Sequence, residues 1–184
     1  VLFLMASRTP ASRERTFWLL MGGSLVAILG NRALYLLVPF ELWGTGLDFI
    51  HDSLYLTCYV LVALALELRP DRNPAKGYRS TLRGIEIAGT LIFLFGLLGY
   101  FIVIPSVFNP DAYASWVPSL LLYAVLDIYL LARILTLLYG RPRPQWVWTY
   151  RVMAVTWVLW LIADVTEGLL YLEVLPWVDP GHPM

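Results

Sequence analysis

Residues 114–138 read ASWVPSLLLYAVLDIYLLARILTLL and contain only two charged side chains, those of Asp127 and Arg133. An α-helix rises about 1.5 Å per residue, so about 20 mainly apolar residues cross a hydrocarbon core roughly 30 Å thick. The stretch is long enough to do this, and a helix satisfies all of its backbone hydrogen bonds within lipid. We therefore predict a transmembrane helix here.

Four further apolar stretches of similar length occupy about 17–38, 52–68, 84–104 and 146–172. The whole chain is 59% hydrophobic and 14% charged, whereas soluble domains are about 25% charged. These features predict an all-α, polytopic helical bundle of about five spans. We expect a cytoplasmic N-terminal arm over 1–16, a membrane domain over 17–172 and an extracytoplasmic tail over 173–184, with a further helix to follow. The first span lacks a small-residue cleavage site and is expected to stay uncleaved.

The basic residues lie on alternate connections between the predicted spans. Eleven of the 13 lie in the arm or in the second-to-third and fourth-to-fifth connections and their edges, namely Arg8, Arg13, Arg15, Arg69, Arg72, Lys76, Arg79, Arg83, Arg141, Arg143 and Arg151. The opposite connections, 39–51, 105–113 and 173–184, contain no lysine or arginine. The positive-inside rule therefore predicts a cytoplasmic N-terminus and an external C-terminus.

Several classes of site are disfavoured by the residue inventory. The single cysteine, Cys58, excludes an internal disulfide, and we expect it to be a small packing residue. His51 and His182 are predicted to lie in exposed outer loops rather than to hold a haem. The sequence has no nucleophile–base set, phosphate loop or metal-ligand spacing, so we expect no enzymatic activity and no cofactor. A net charge of zero gives no indication of nucleic-acid binding.

Charged side chains inside the predicted spans require an explanation, because each costs about 2.5–3.5 kcal/mol at the bilayer centre on insertion scales. Glu67 and Glu86 lie near the cytoplasmic ends, beside Arg69 and Arg83, and are predicted to form ion pairs at the interface or to extend to the headgroups. The remaining candidates are placed deeper or toward the outer side by the predicted topology, and they are Arg32, Asp127, Asp164 and Glu167.

These four residues and nearby tyrosines predict one polar layer in the outer half of the membrane. Asp164 and Glu167 share a helix face at i, i+3, Tyr123 lies one turn from Asp127, and Tyr55 lies on a polar face with Asp52 and Tyr59. One hypothesis is that Arg32 pairs with Asp164 or Glu167 and that the layer lines an outward-open ligand pocket. The alternative is a buried network that fixes helix packing without a ligand.

The order of these landmarks also resembles a known family. The segments concerned are Gly30-Asn31-Arg32-Ala33-Leu34-Tyr35, Leu47-Asp48, Asp52-Ser53-Leu54-Tyr55-Leu56-Thr57-Cys58-Tyr59, Arg83-Gly84-Ile85-Glu86, Leu122-Tyr123-Ala124-Val125-Leu126-Asp127 and Leu161-Ile162-Ala163-Asp164. From about residue 17 to 184, the chain is similar to the multi-helix membrane region upstream of GGDEF-type diguanylate cyclase and histidine kinase domains in bacterial signalling proteins. It departs from that pattern in having neither an output domain nor the further helix that usually follows.

The resemblance implies a sensory or anchoring input module in the bacterial inner membrane, without catalysis of its own. Its expected partners are the lipid bilayer, a small-molecule ligand on the outer side and a second copy of the chain. Two other functions stay open: a small transporter or channel subunit that uses the intramembrane acids, and a purely structural membrane subunit.

Overall fold

The computed structural model describes residues 12–38, 45–68, 70–71, 78–104, 108, 117–140 and 142–171. Over these residues the chain is all-helical and contains no β-strand. Five α-helices follow one another: α1 Ser12–Leu37, α2 Thr45–Glu67, α3 Tyr78–Leu98, α4 Val117–Tyr139 and α5 Pro144–Tyr171. The predicted all-α helical bundle is confirmed.

The helix ends follow the proline and glycine positions of the sequence. Helix α2 ends at Glu67, three residues before Pro70, and proline disfavours a helical conformation in the residue before it. At the turn between α4 and α5, the Gly140 N–H donates to the Thr136 carbonyl at 3.0 Å. Helix α5 then begins at Pro144, where the missing N–H leaves no helical bond unmade.

Helix α3 continues as a short π-helix, Gly99–Val103. Its last bond runs from the Ile104 N–H to the Gly99 carbonyl, a spacing of five residues. Insertions of this kind occur as single wide turns within longer helices. The regular apolar part of α3 is therefore only Gly84–Leu98.

Four helical segments among the described residues are long and apolar enough to cross a membrane: Arg13–Leu34, Ile50–Glu67, Leu120–Tyr139 and Pro144–Leu170. They correspond to four of the predicted spans. The predicted third span coincides with α3 and the π-helix, but its apolar α-helical part is shorter than the roughly 20 residues that a span needs. Helix α1 also begins earlier than predicted, at Ser12 within the presumed arm. The sidedness of the helices and the tail over 173–184 stay predictions, and the tail lies outside the described residues.

The chain divides into two compact units, Val1–Leu94 and Phe95–Met184. In the first unit, α1 packs against α2. A Cβ atom built on Gly23 would lie 3.3 Å from Leu61 Cδ1, whereas one built on Gly84 would meet nothing within 4 Å. Gly23-x-x-x-Ala27 and Gly84-x-x-x-Ala88 are both small-residue patterns of the kind that allows close helix packing, and of these two the first lies at a close approach between helices.

In the second unit, α4 packs against α5. The buried residues of α4 form one stripe at helical spacing, Leu122, Leu126, Leu130, Ile134 and Leu137. Helix α5 contributes Trp146, Tyr150, Met153, Ala154 and Trp157. The opposite faces expose large apolar side chains such as Ile128, Leu159 and Ile162, which is the arrangement expected of helices surrounded by lipid.

Threonines on the exposed faces bond to their own helices. The hydroxyls of Thr57, Thr136, Thr156 and Thr166 each donate to the carbonyl four residues earlier, at 2.7–3.0 Å. Their hydroxyls are therefore satisfied without water or a neighbouring helix.

Candidate functional site

A polar and aromatic cluster joins α1 to α2 in the first unit. The side-chain Nδ2 of Asn31 donates to the backbone carbonyl of His51 at 3.0 Å. Asn31 is only 1% exposed, and its other side-chain atom, Oδ1, has no hydrogen-bond partner within the described part of the chain. The cluster therefore places a buried amide against the backbone of α2.

The aromatic part of this cluster follows one face of α2. The His51 ring stacks on Tyr55 with centroids 6.1 Å apart, and Tyr55 lies 5.7 Å from the ring of Tyr59. All three side chains are buried. Nδ1 of His51 is 3.3 Å from the carboxylate Oδ1 of Asp52, which is within hydrogen-bond distance. Asp52, Tyr55 and Tyr59 therefore lie on one face of α2, as predicted, and the two tyrosines on this face are buried.

The prediction for His51 was wrong. It lies inside α2, which begins six residues earlier at Thr45, and its side chain is buried rather than exposed in a loop. His182 lies outside the described residues. Cys58, one turn from Tyr55, is buried, which confirms the packing position predicted for it.

Glu67 also differs from the prediction. It is 2% exposed, and Asp71, four residues later, is equally buried. A carboxylate that reached the headgroups would remain accessible, so Glu67 does not extend to the headgroups, and its ion pair at the interface stays a prediction. Asp71 was not singled out from the sequence, because a polar connection gives no sign that one of its acids is enclosed. Glu86 is exposed, as an interfacial position requires.

The second unit contains a groove between α4 and α5, at the end of the helix pair remote from Gly140. Seven residues line about 170 Å³: Leu120, Leu121, Ala124, Asp164, Val165, Gly168 and Leu169. Asp164 is the one charged residue among them, and it is 9% exposed. At about 1.5 Å per residue, Asp164 lies about 30 Å along α5 from Pro144, which is close to the thickness of a hydrocarbon core.

The other candidate residues of this unit lie around the groove. Asp127, one turn along α4 from Ala124, is fully enclosed at 0% exposed, and Tyr123 is also buried. Glu167, in contrast, is exposed and does not line the groove. The i, i+3 spacing of Asp164 and Glu167 therefore places one acid inside the helix pair and the other outside it. Tyr171 continues the predicted face of Asp164 at i+7, and its side chain lies outside the described residues.

Arg32 lies in the first unit, and its side chain is exposed. The hypothetical ion pair would join it to Asp164 or Glu167 of the second unit, and this pairing stays a prediction. The single polar layer that combines residues of α1, α2, α4 and α5 likewise stays a prediction.

Within the described residues, no group of three or more histidine, cysteine or acidic side chains is placed to hold a metal ion. Comparisons with protein-family models, curated proteins and solved structures found no match. The resemblance to bacterial signalling proteins therefore rests on the sequence landmarks alone.

Proposed function

We propose that this chain is the membrane-embedded sensory or anchoring input module of a bacterial signal-transduction protein, located in the inner membrane. The observation that supports this most is the groove beside Asp164. A carboxylate enclosed among apolar helices is costly in a membrane, and such residues commonly serve a functional site.

The groove suits a sensory role because both of its walls belong to helices that pack on each other. Leu120, Leu121 and Ala124 come from α4, and Asp164, Val165, Gly168 and Leu169 come from α5. A ligand that contacts both walls favours one spacing of the two helices over another. Differential affinity of this kind is what shifts a conformational equilibrium.

A fusion protein tests the proposal. The chain is extended by one transmembrane helix of unrelated sequence and a cytoplasmic diguanylate cyclase domain, and cyclic dinucleotide is measured in cells. Asp164→Asn replaces the carboxyl group of the groove by an amide of the same size, and Glu167→Gln makes the same change at an exposed position one turn away. We expect Asp164→Asn to shift the output and Glu167→Gln to leave it unchanged. Equal output from wild type and Asp164→Asn would contradict a sensory role for the groove.

A second function, transport, is favoured by the burial of two acids, Asp127 and Asp164, in one helix pair. Acidic side chains at membrane depth commonly form ion or proton pathways. Proteoliposomes that contain a pH-sensitive dye distinguish the two functions. Proton uptake that requires both acids would favour transport over the sensory proposal.

A further inference from the structure

The exposed face of helix α5 carries an indole and a guanidinium close together near its first turns. Trp148 is 70% exposed, and Arg151, three residues later, is also exposed, so the two side chains are neighbours on the helix surface. Within the part of the chain that the structure describes, the Arg151 side chain makes no ion pair or hydrogen bond. Its positive charge is therefore available to a ligand outside the chain.

Apolar side chains continue the same face beyond Arg151. Val155, Val158 and Ile162 follow at i+4, i+7 and i+11, and all three are exposed. At about 1.5 Å per residue, this stripe extends about 16 Å from Arg151, which is about half of a hydrocarbon core roughly 30 Å thick. We propose that this face binds an anionic phospholipid, with the phosphate at Arg151 and an acyl chain along the stripe.

The position of Arg151 suits a lipid phosphate. Exposed tryptophans are typical of the membrane interface, and Arg151 lies about 4.5 Å along the axis from Trp148, on the side of the apolar stripe. Side chains of an α-helix tilt toward its N-terminus, so the long side chain of Arg151 extends back to the level of the headgroups. A guanidinium there makes two parallel hydrogen bonds to phosphate oxygens.

The charge of the lipid follows from the charges around Arg151. Residues 128–163 contain four arginines and neither aspartate nor glutamate. The first acid along α5 is Asp164, about 20 Å from Arg151. A zwitterionic headgroup would bring an ammonium group that finds no carboxylate here and is repelled by Arg143 at the turn before α5. An anionic headgroup brings the phosphate without that second charge.

Fluorine NMR of the full chain, labelled with 5-fluorotryptophan in dodecyl maltoside micelles, tests the proposal. The Trp148 signal is assigned by its absence from Trp148→Phe. Dioctanoyl phosphatidylglycerol is compared with dioctanoyl phosphatidylcholine, which has the same acyl chains and a phosphate but no net charge. We expect the Trp148 signal to shift saturably with phosphatidylglycerol and to need about fivefold more phosphatidylcholine, since one basic residue near a membrane contributes about that factor for anionic lipid.

Substitutions of exposed arginines test the role of the charge. Arg151→Gln should weaken phosphatidylglycerol binding about fivefold. Arg151→Lys should weaken it by less, because the charge remains while the paired hydrogen bonds are lost. Arg32→Gln is the matched control, since it removes an exposed arginine of α1 in the first unit, and it should change the affinity by less than about twofold.

Several results would overturn the proposal. Among them are equal affinity for the two lipids, unchanged phosphatidylglycerol binding in Arg151→Gln, and an equal loss in Arg32→Gln, which would point to the overall charge of the protein. Inorganic phosphate is titrated at the same concentrations. If it shifts the Trp148 signal in the same saturable way, the site binds a free anion and the assignment to a lipid is wrong.

This site is separate from the groove of the proposed sensory function. Arg151 lies about 20 Å along α5 from Asp164, and the two experiments change different residues. A failure of phosphatidylglycerol binding therefore leaves the cyclase fusion result unaffected, and an output that ignores Asp164→Asn leaves the lipid site unaffected.

Discussion

Replacement of Asn31 by leucine tests whether the buried contact between α1 and α2 stabilises the protein. Two effects of opposite sign are involved. The bond from Nδ2 to the His51 carbonyl is worth about 0.6 kcal/mol, the average for interhelical hydrogen bonds in membrane proteins. The buried Oδ1 atom has no hydrogen-bond partner within the residues that the structure describes, and such an atom costs about 1–3 kcal/mol.

Leucine removes both effects while it keeps the branching of the side chain. The His51 carbonyl is not left unsatisfied, because it lies within α2 and accepts the helical bond from residue 55. We therefore expect Asn31→Leu to raise the free energy of unfolding by about 0.4–2.4 kcal/mol, which is the difference between the two effects.

The measurement is equilibrium unfolding in maltoside micelles by added dodecyl sulfate, followed by far-ultraviolet circular dichroism. Ser24→Ala is the matched control, since the buried Ser24 hydroxyl donates to the Met21 carbonyl of its own helix at 2.8 Å and links no second helix. A loss above about 2 kcal/mol in Asn31→Leu, with little loss in Ser24→Ala, would refute the reasoning. The polar contact would then hold the two helices together.

Three other predictions concern packing and topology. Gly23→Leu should destabilise the protein by about 1–3 kcal/mol, because its Cβ atom would lie 3.3 Å from Leu61. Gly89→Leu is the control in the same unfolding assay and should be neutral or stabilising, because its Cβ atom would meet nothing within 4 Å. Maleimide should modify the buried thiol of Cys58 at least about tenfold faster in unfolded than in native protein, and equal rates would show that α2 is not packed there. In a variant that lacks Cys58, the substitution Lys76→Cys should introduce a thiol that reacts with a membrane-impermeant reagent only from the cytoplasmic side. Labelling from the external side would disprove the predicted orientation.

The helices could be predicted from the sequence because lipid leaves the backbone few alternatives. Apolar stretches of about 20 residues must form helices, and prolines such as Pro70 and glycines such as Gly140 mark where helices end. The start of α2 was harder, since Asp48 and His51 suggest a polar connection. Helix α2 nevertheless begins at Thr45 and includes both residues, so its helical backbone bonds begin before the apolar part of the sequence.

The candidate sites could be predicted only in part. Asp127 and Asp164 stood out as acids in apolar stretches, and both are buried. The sequence did not reveal that Gly168 leaves space beside Asp164, because a groove depends on how two helices pack. The contact from Asn31 to the backbone of His51 was equally hidden, since one amide in an apolar helix has no pattern that names its partner.

Four threonine hydroxyls donate to carbonyls of their own helices, and this limits the contacts that the exposed surface can make with lipid or with another protein. To an adjoining acyl chain or polypeptide, each such threonine presents its methyl group and behaves much like valine. Hydropathy scales count these positions as polar, so they understate how uniform the lipid-facing surface is. A second membrane protein that bound this surface would depend on shape complementarity, because the hydroxyl protons at these positions are already donated within their own helices.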